Sequence, residues 1–136
     1  METILIVDDE KNYLRVLSAV LEEEGYEVLT AQSGQEALGI QETSDLDLIL
    51  TDMKMPGMDG MDVLRHVRKF QPDIRIIIIT AHGTIDSAVE AMRLGAVDFI
   101  QKPFTPNEIR QLVQRVLDRE QLAAETAKDY ETHIEL

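Results

Sequence analysis

Five side chains in this sequence could share one reaction: Asp8, Asp9, Asp52, Thr80 and Lys102. Each closes or closely follows an apolar run. Asp8 and Asp9 follow Ile4-Leu-Ile-Val7, Asp52 follows Leu48-Ile-Leu-Thr51, Thr80 ends Ile76-Ile-Ile-Ile79, and Lys102 follows Val97 to Ile100. Three carboxylates brought together repel, at a cost of several kcal/mol per close pair. Lys102 supplies one compensating charge, and a hard divalent cation with oxygen ligands would supply the rest. Mg2+ fits because it takes few carboxylates, keeps waters and shares phosphate oxygens. Thr80 can donate a hydrogen bond to a phosphoryl oxygen, and Lys102 can neutralise another as a point charge. That leaves Asp52 as nucleophile, since carboxylates form acyl phosphates. Positioning and charge neutralisation carry most of phosphoryl transfer, so no separate general base is needed. Taken singly, each residue has a plainer reading. A lone Asp at a strand end is usually a turn former or cap, a Thr there usually caps, and a Lys is usually solvated. The conjunction favours a phosphate site.

Something must bring these residues to one rim, and the hydrophobic pattern provides it. Ile4–Val7 reads as a strand buried on both faces. Leu14, Leu17 and Leu21 repeat at helical spacing, and Gly25 is placed to end that helix in a left-handed turn. Glu27 to Thr30 is a thin second strand that suits an edge, and Ser33-Gly-Gln-Glu36 caps the next helix. Asp47 to Thr51 is the third strand. It leads into a loop stiffened by Pro56 and loosened by Gly57 and Gly60. Met61, Val63, Leu64 and Val67 suit a helix that ends before Pro72. Ile74 to Thr80 is the strongest strand signal. Thr84 can cap a helix whose face is Ile85, Ala88, Val89 and Met92, closed by Gly95. Val97 to Ile100 is the fifth strand, and Thr105-Pro-Asn-Glu108 opens the last helix. Strands alternating with helices predict an α/β fold, a five-stranded parallel sheet with helices on both faces. In such a sheet, ligands bind beyond the carboxyl ends of the strands.

The bulk composition sets outer bounds. The chain has 136 residues, 44% of them apolar, which suits one domain with a real core. Cysteine is absent, excluding disulfides and thiolate metal sites. No apolar run could span a bilayer, and the N-terminus lacks a secretory signal. The expected location is the cytoplasm. Thirteen Lys and Arg against 26 Asp and Glu give a net charge of −13, which argues against direct nucleic acid or membrane binding.

Four motifs in order carry a resemblance: Val7-Asp-Asp-Glu10, Thr51 to Gly60, Thr80-Ala-His-Gly83, and Gly95 to Phe104. Over residues 2 to 120 the chain resembles the receiver domain of bacterial two-component response regulators. The resemblance implies a (βα)5 flavodoxin-like, doubly wound sheet with strand order 2-1-3-4-5. It implies phosphorylation of Asp52 by a sensor histidine kinase. Asp9 would bind Mg2+ directly, Asp8 largely through water, and the main-chain carbonyl of Lys54 would be a further ligand. Thr80 and Lys102 would contact the phosphoryl oxygens, and Lys102-Pro103 would be cis. Phe99 falls at the family's switch-aromatic position; an ordinary core aromatic is the alternative. Lys54 and His82 occupy positions that vary in the family and tune acyl-phosphate lifetime. His66, His82 and His133 share no metal-ligand spacing and read as surface histidines. Met53, Met55, Met58 and Met61 read mostly as packing, with an adaptable docking surface as the alternative.

The run Thr80 to Phe104 resembles the nitrogen-regulatory (NtrC/DctD) branch, in which a receiver controls an AAA+ module and a DNA-binding module. The implied output is sigma-54-dependent transcription. Residues 1–120 are then the receiver, and 121–136 a helical linker, extending the last helix, towards a downstream effector domain. Ile109, Val113, Val116, Glu120, Ala123, Ala127, Tyr130 and Ile134 alternate by threes and fours, a seam that predicts a homodimer through the last helix and linker. The other readings are a stand-alone receiver serving as a phosphorelay or interaction module and, more remotely, a Mg2+-dependent aspartyl phosphatase. The phosphatase pattern wants a second Asp two residues after the first-strand nucleophile, where this chain has Glu10. A flavin carrier would need a first loop rich in Ser, Thr and Gly, not Asp8, Asp9 and Glu10. The expected chain is no enzyme beyond its own phosphorylation and dephosphorylation.

Overall fold

The structure, a computed structural model, describes residues 1–81 and 85–118. Elements alternate as expected: β1 (Thr3–Val7), α1 (Lys11–Glu23), β2 (Glu27–Ala31), α2 (Gly34–Thr43), β3 (Leu48–Asp52), α3 (Gly60–Phe70), β4 (Arg75–Thr80), α4 (Ile85–Arg93), β5 (Asp98–Gln101) and α5 (106–118). All strand pairs are parallel and the order is β2-β1-β3-β4-β5. The thin second strand is indeed an edge.

Strand alternation divides the core into two layers. Leu5, Val7, Ile49, Ile76 and Ile78 pack with Ala37, Val63, Leu64, Val67 and Ala91 from α2, α3 and α4. Ile4, Ile6, Leu48, Leu50, Ile77 and Ile79 face Leu14, Leu17 and Leu21 of α1 and Ile109, Leu112 and Val113 of α5. Ile76 to Ile79 are all fully buried. Each contributes roughly 2 kcal/mol of transfer free energy, which anchors Thr80 at the end of β4.

Helix boundaries follow local chemistry. Gly25 and Gly95, at φ +93° and +108°, close α1 and α4 in the left-handed region. Ser33 Oγ accepts from the Glu36 amide at 3.1 Å, and Thr105 Oγ1 accepts from the Glu108 amide at 3.1 Å. The start of α3 was not legible as a cap. There Asp59 accepts from the Asp62 amide at 3.0 Å, and Asp62 accepts from the Asp59 amide at 3.1 Å. Asp59→Ala should cost about 1 kcal/mol, read as a lower denaturant midpoint at unchanged slope.

Two expectations need correction. The inner face of α4 is Ala88 and Ala91, while Val89 and Met92 are 44% and 43% exposed. The small residues of this helix are the ones buried, and its larger apolar residues Val89 and Met92 lie outside. Ile109, Val113 and Val116, the first positions of the expected dimer seam, are buried against the molecule's own sheet. They are already covered and cannot also face a partner helix. The rest of the seam, the linker and Thr84 lie outside the described residues.

Candidate phosphoryl and metal site

The register brings four elements to one rim. Val7 pairs with Thr51, so Asp8 lies beside Asp52. Asp52 pairs with Ile79, one residue before Thr80, and Thr80 pairs with Gln101, one residue before Lys102. Carboxylate oxygens of Asp8, Asp9 and Asp52 lie within 4.8 Å of one another. Asp8 and Asp52 are buried and Asp9 is exposed. Lys102 Nζ is 2.9 Å from Asp8 Oδ2 and 3.7 Å from Asp52 Oδ2. Among the residues described, the structure thus gathers the expected acids and amine.

Asp8 has a second task. Its Oδ1 accepts from the Glu10 amide at 2.9 Å, which fixes the turn into α1, where Glu10 itself offers no side-chain cap. The backbone of Lys102 is held too, its amide donating to the Thr80 carbonyl at 2.7 Å. The Lys102-Pro103 bond is cis, as the resemblance implied.

Electrostatically the site is strained by its own charges. Burial raises the Asp52 carboxyl above the usual carboxylate range; Lys102 opposes this, Asp8 adds to it, the Lys54 amide opposes it, and Asp9 adds to it. Asp52 Oδ1 and Thr80 Oγ1 are both buried and find no hydrogen-bond partner among the described residues. Buried polar atoms are normally satisfied, and exceptions mark strain or a site for a bound group. Here these two oxygens, and three clustered carboxylates of which Asp8 and Asp52 pair with the one ammonium, suit a cation and a phosphoryl group. The oxygen-only donor set is that of a hard cation such as Mg2+.

Gly60, taken from sequence as a loosening residue of the loop, has a different role. It is buried at the first position of α3, and its amide donates to the Met53 carbonyl at 3.0 Å. A Cβ there would run into the Asp52 carbonyl oxygen and sit 3.0 Å from Met53 Cα. Met53 and Met55 are core residues, with Met58 and Met61 packed against that core. The methionines are therefore packing. Lys54 is exposed. Phe99 is 41% exposed on β5, so it is not a core aromatic. His66 lies against Phe70, with ring centroids 4.6 Å apart and planes tilted by 44°, and His82 and His133 lie outside the described residues.

One residue at this site was missed from sequence. Tyr13 of α1 lies with its ring centroid 3.9 Å from Lys102 Nζ. No local pattern could have found a contact between residues so distant in sequence.

Comparison with known proteins agrees with this fold. The model of the response regulator receiver domain matches residues 4–114. Sporulation initiation phosphotransferase F of Bacillus subtilis is 42% identical over 116 residues, covering 85% of this chain and 94% of that protein. The alginate biosynthesis transcriptional regulatory protein AlgB of Pseudomonas aeruginosa is 40% identical over 121 residues, covering 89% of this chain but 27% of its own length. The crystal structure of NtrX from Brucella abortus in complex with ADP superposes with a TM-score of 0.85 at 33% identity, covering 93% of this chain and 30% of that one. The chain thus spans only about a quarter to a third of these longer regulators. A shared fold, a near full-length match to one relative and a match to the family over most of the chain converge on one conclusion: this chain belongs to the response regulator receiver domain family.

Proposed function

We propose that the chain is a phosphorylation-activated switch whose acceptor is Asp52. The observation that carries this reading is the pair of buried oxygens, Asp52 Oδ1 and Thr80 Oγ1, that have no hydrogen-bond partner among the described residues, on strands that Lys102 and the acid cluster adjoin. An Asp52 oxygen attacks the phosphorus of a kinase phosphohistidine. The O–P bond forms as the P–N bond breaks, and the electron pair stays on the imidazole nitrogen. Hydrolysis reverses the state: water attacks phosphorus, the bond to Asp52 breaks, and inorganic phosphate leaves. Asp8, Asp9 and Asp52, with the Lys54 carbonyl, would hold Mg2+, which neutralises charge on the transferring group when bound. Thr80 and Lys102 hold the phosphoryl oxygens. Drawing Thr80 inward biases a two-state element, and burial of Phe99 stabilises the second state.

In this proposal the chain works in the cytoplasm with a sensor histidine kinase. Its output is sigma-54-dependent transcription through AAA+ and DNA-binding domains of a longer chain, paired as a homodimer through the linker. It turns over no substrate beyond its own phosphoryl group. The match along 94% of sporulation initiation phosphotransferase F favours a second reading, a stand-alone phosphorelay module.

Acetyl phosphate with Mg2+ should add one phosphoryl group per chain, and EDTA should block it. Steady turnover of a phosphate ester would instead indicate a phosphatase. Mg2+ alone should stabilise the fold by about 2.7 kcal/mol at a hundredfold excess over its Kd. Asp9→Asn should remove most of that gain in thermal unfolding. An unchanged gain would place the cation elsewhere.

A further inference from the structure

The active-site lysine is held by more than carboxylates. Its ammonium lies over the face of Tyr13, 3.9 Å from the ring centroid. The ring is braced in turn by Phe104, edge-on at 5.9 Å and 80°. Tyr13 therefore joins α1 to the segment that carries Lys102 and Phe104. Burial, together with Asp8, Asp52 and Glu10, pushes the phenol far above its ordinary value, so the ring adds no negative charge to the rim.

We propose that Tyr13 is a positioning residue for phosphoryl transfer, holding the Lys102 ammonium between Asp8 and Asp52 through the face of its ring. This rests on the reading of Asp52 as acceptor. Ion pairing alone would favour Asp8, at 2.9 Å, over Asp52, at 3.7 Å. An aromatic face attracts an ammonium without a counter-charge and leaves its remaining protons free. The contact therefore survives when Asp52 becomes an acyl phosphate, and Lys102 stays within reach of the new oxygens.

The test uses the full chain with acetyl phosphate and Mg2+, following the labelling rate. Tyr13→Leu removes the ring and should slow labelling about fivefold, the size of a partly desolvated cation–π contact. Tyr13→Phe keeps the ring face and should restore the rate. Phenylalanines bearing one, two and three ring fluorines at position 13 preserve shape while draining the face of negative potential. The rate should fall stepwise along that series, an effect that a merely structural ring would not show. A flat fluorine series, or a Leu variant as fast as the parent, overturns the proposal. Labelling of the parent that survives Asp52→Asn is a separate result: it removes the acceptor reading, and this proposal with it.

Discussion

Asp52→Asn should abolish covalent labelling by acetyl phosphate without lowering thermal stability. The amide has nearly the shape of the carboxylate but no anionic oxygen to attack phosphorus, so the acyl phosphate cannot form. The stability half of the expectation comes from electrostatics. In the native rim, burial holds the Asp52 carboxyl above its ordinary range, with Asp8 and Asp9 adding to the effect. A carboxyl whose folded value lies above its unfolded value binds more protons when folded. Its contribution to stability therefore falls as pH rises from the ordinary carboxylate range through that raised value. Asn carries no such cost, so near neutral pH, without divalent cation, the variant should melt no lower than the parent. A variant that unfolds at room temperature would contradict this half, and one that still takes a phosphoryl group would contradict the other.

Gly60→Ala should have the largest effect on stability. The added methyl has no room, because it meets the Asp52 carbonyl and the Met53 Cα, both main-chain atoms. Backbone cannot rotate away as a flexible side chain can. Accommodation must move the end of β3 or the first turn of α3, where the Gly60 amide bonds the Met53 carbonyl and Asp59 caps the helix. Overpacking against fixed atoms costs about 3 kcal/mol. For a domain of this size that lowers Tm by roughly 10 °C. Because the displaced carbonyl belongs to Asp52, the proposed acceptor, the labelling rate should fall as well. By contrast, Gly39→Ala meets nothing within 4 Å and serves as the control. Equal unfolding curves for the Gly60 variant and the parent would show that the turn has slack.

Much of this molecule was legible because its signals are local. Four consecutive isoleucines mark a doubly buried strand, Pro72 stops α3, and Ser33 and Thr105 cap helices in patterns spanning four residues. The acids, hydroxyl and amine each sit beside an apolar run, and parallel topology delivers all such ends to one rim. What escaped has different physical roots. Apolar bulk suggested Val89 and Met92 as part of the inner face of α4, but Ala88 and Ala91 are the residues buried there. Asp59 read as loop because an Asp-x-x-Asp cap looks like ordinary acidity. Gly60 read as looseness although its role is steric. The heptad over α5 was real periodicity, but at Ile109, Val113 and Val116 it reports packing against the sheet rather than a partner. Tyr13 escaped because its partner arrives from the far end of the chain.

Borohydride reduction of the labelled parent chain, followed by peptide mass mapping, tests the central claim most directly. Hydride converts an aspartyl phosphate to homoserine and so marks the acceptor permanently. The structure predicts homoserine at position 52 alone, formed only when Mg2+ accompanied the phosphodonor. Homoserine at position 8 or 9, or a phosphoryl group that resists reduction, would contradict it.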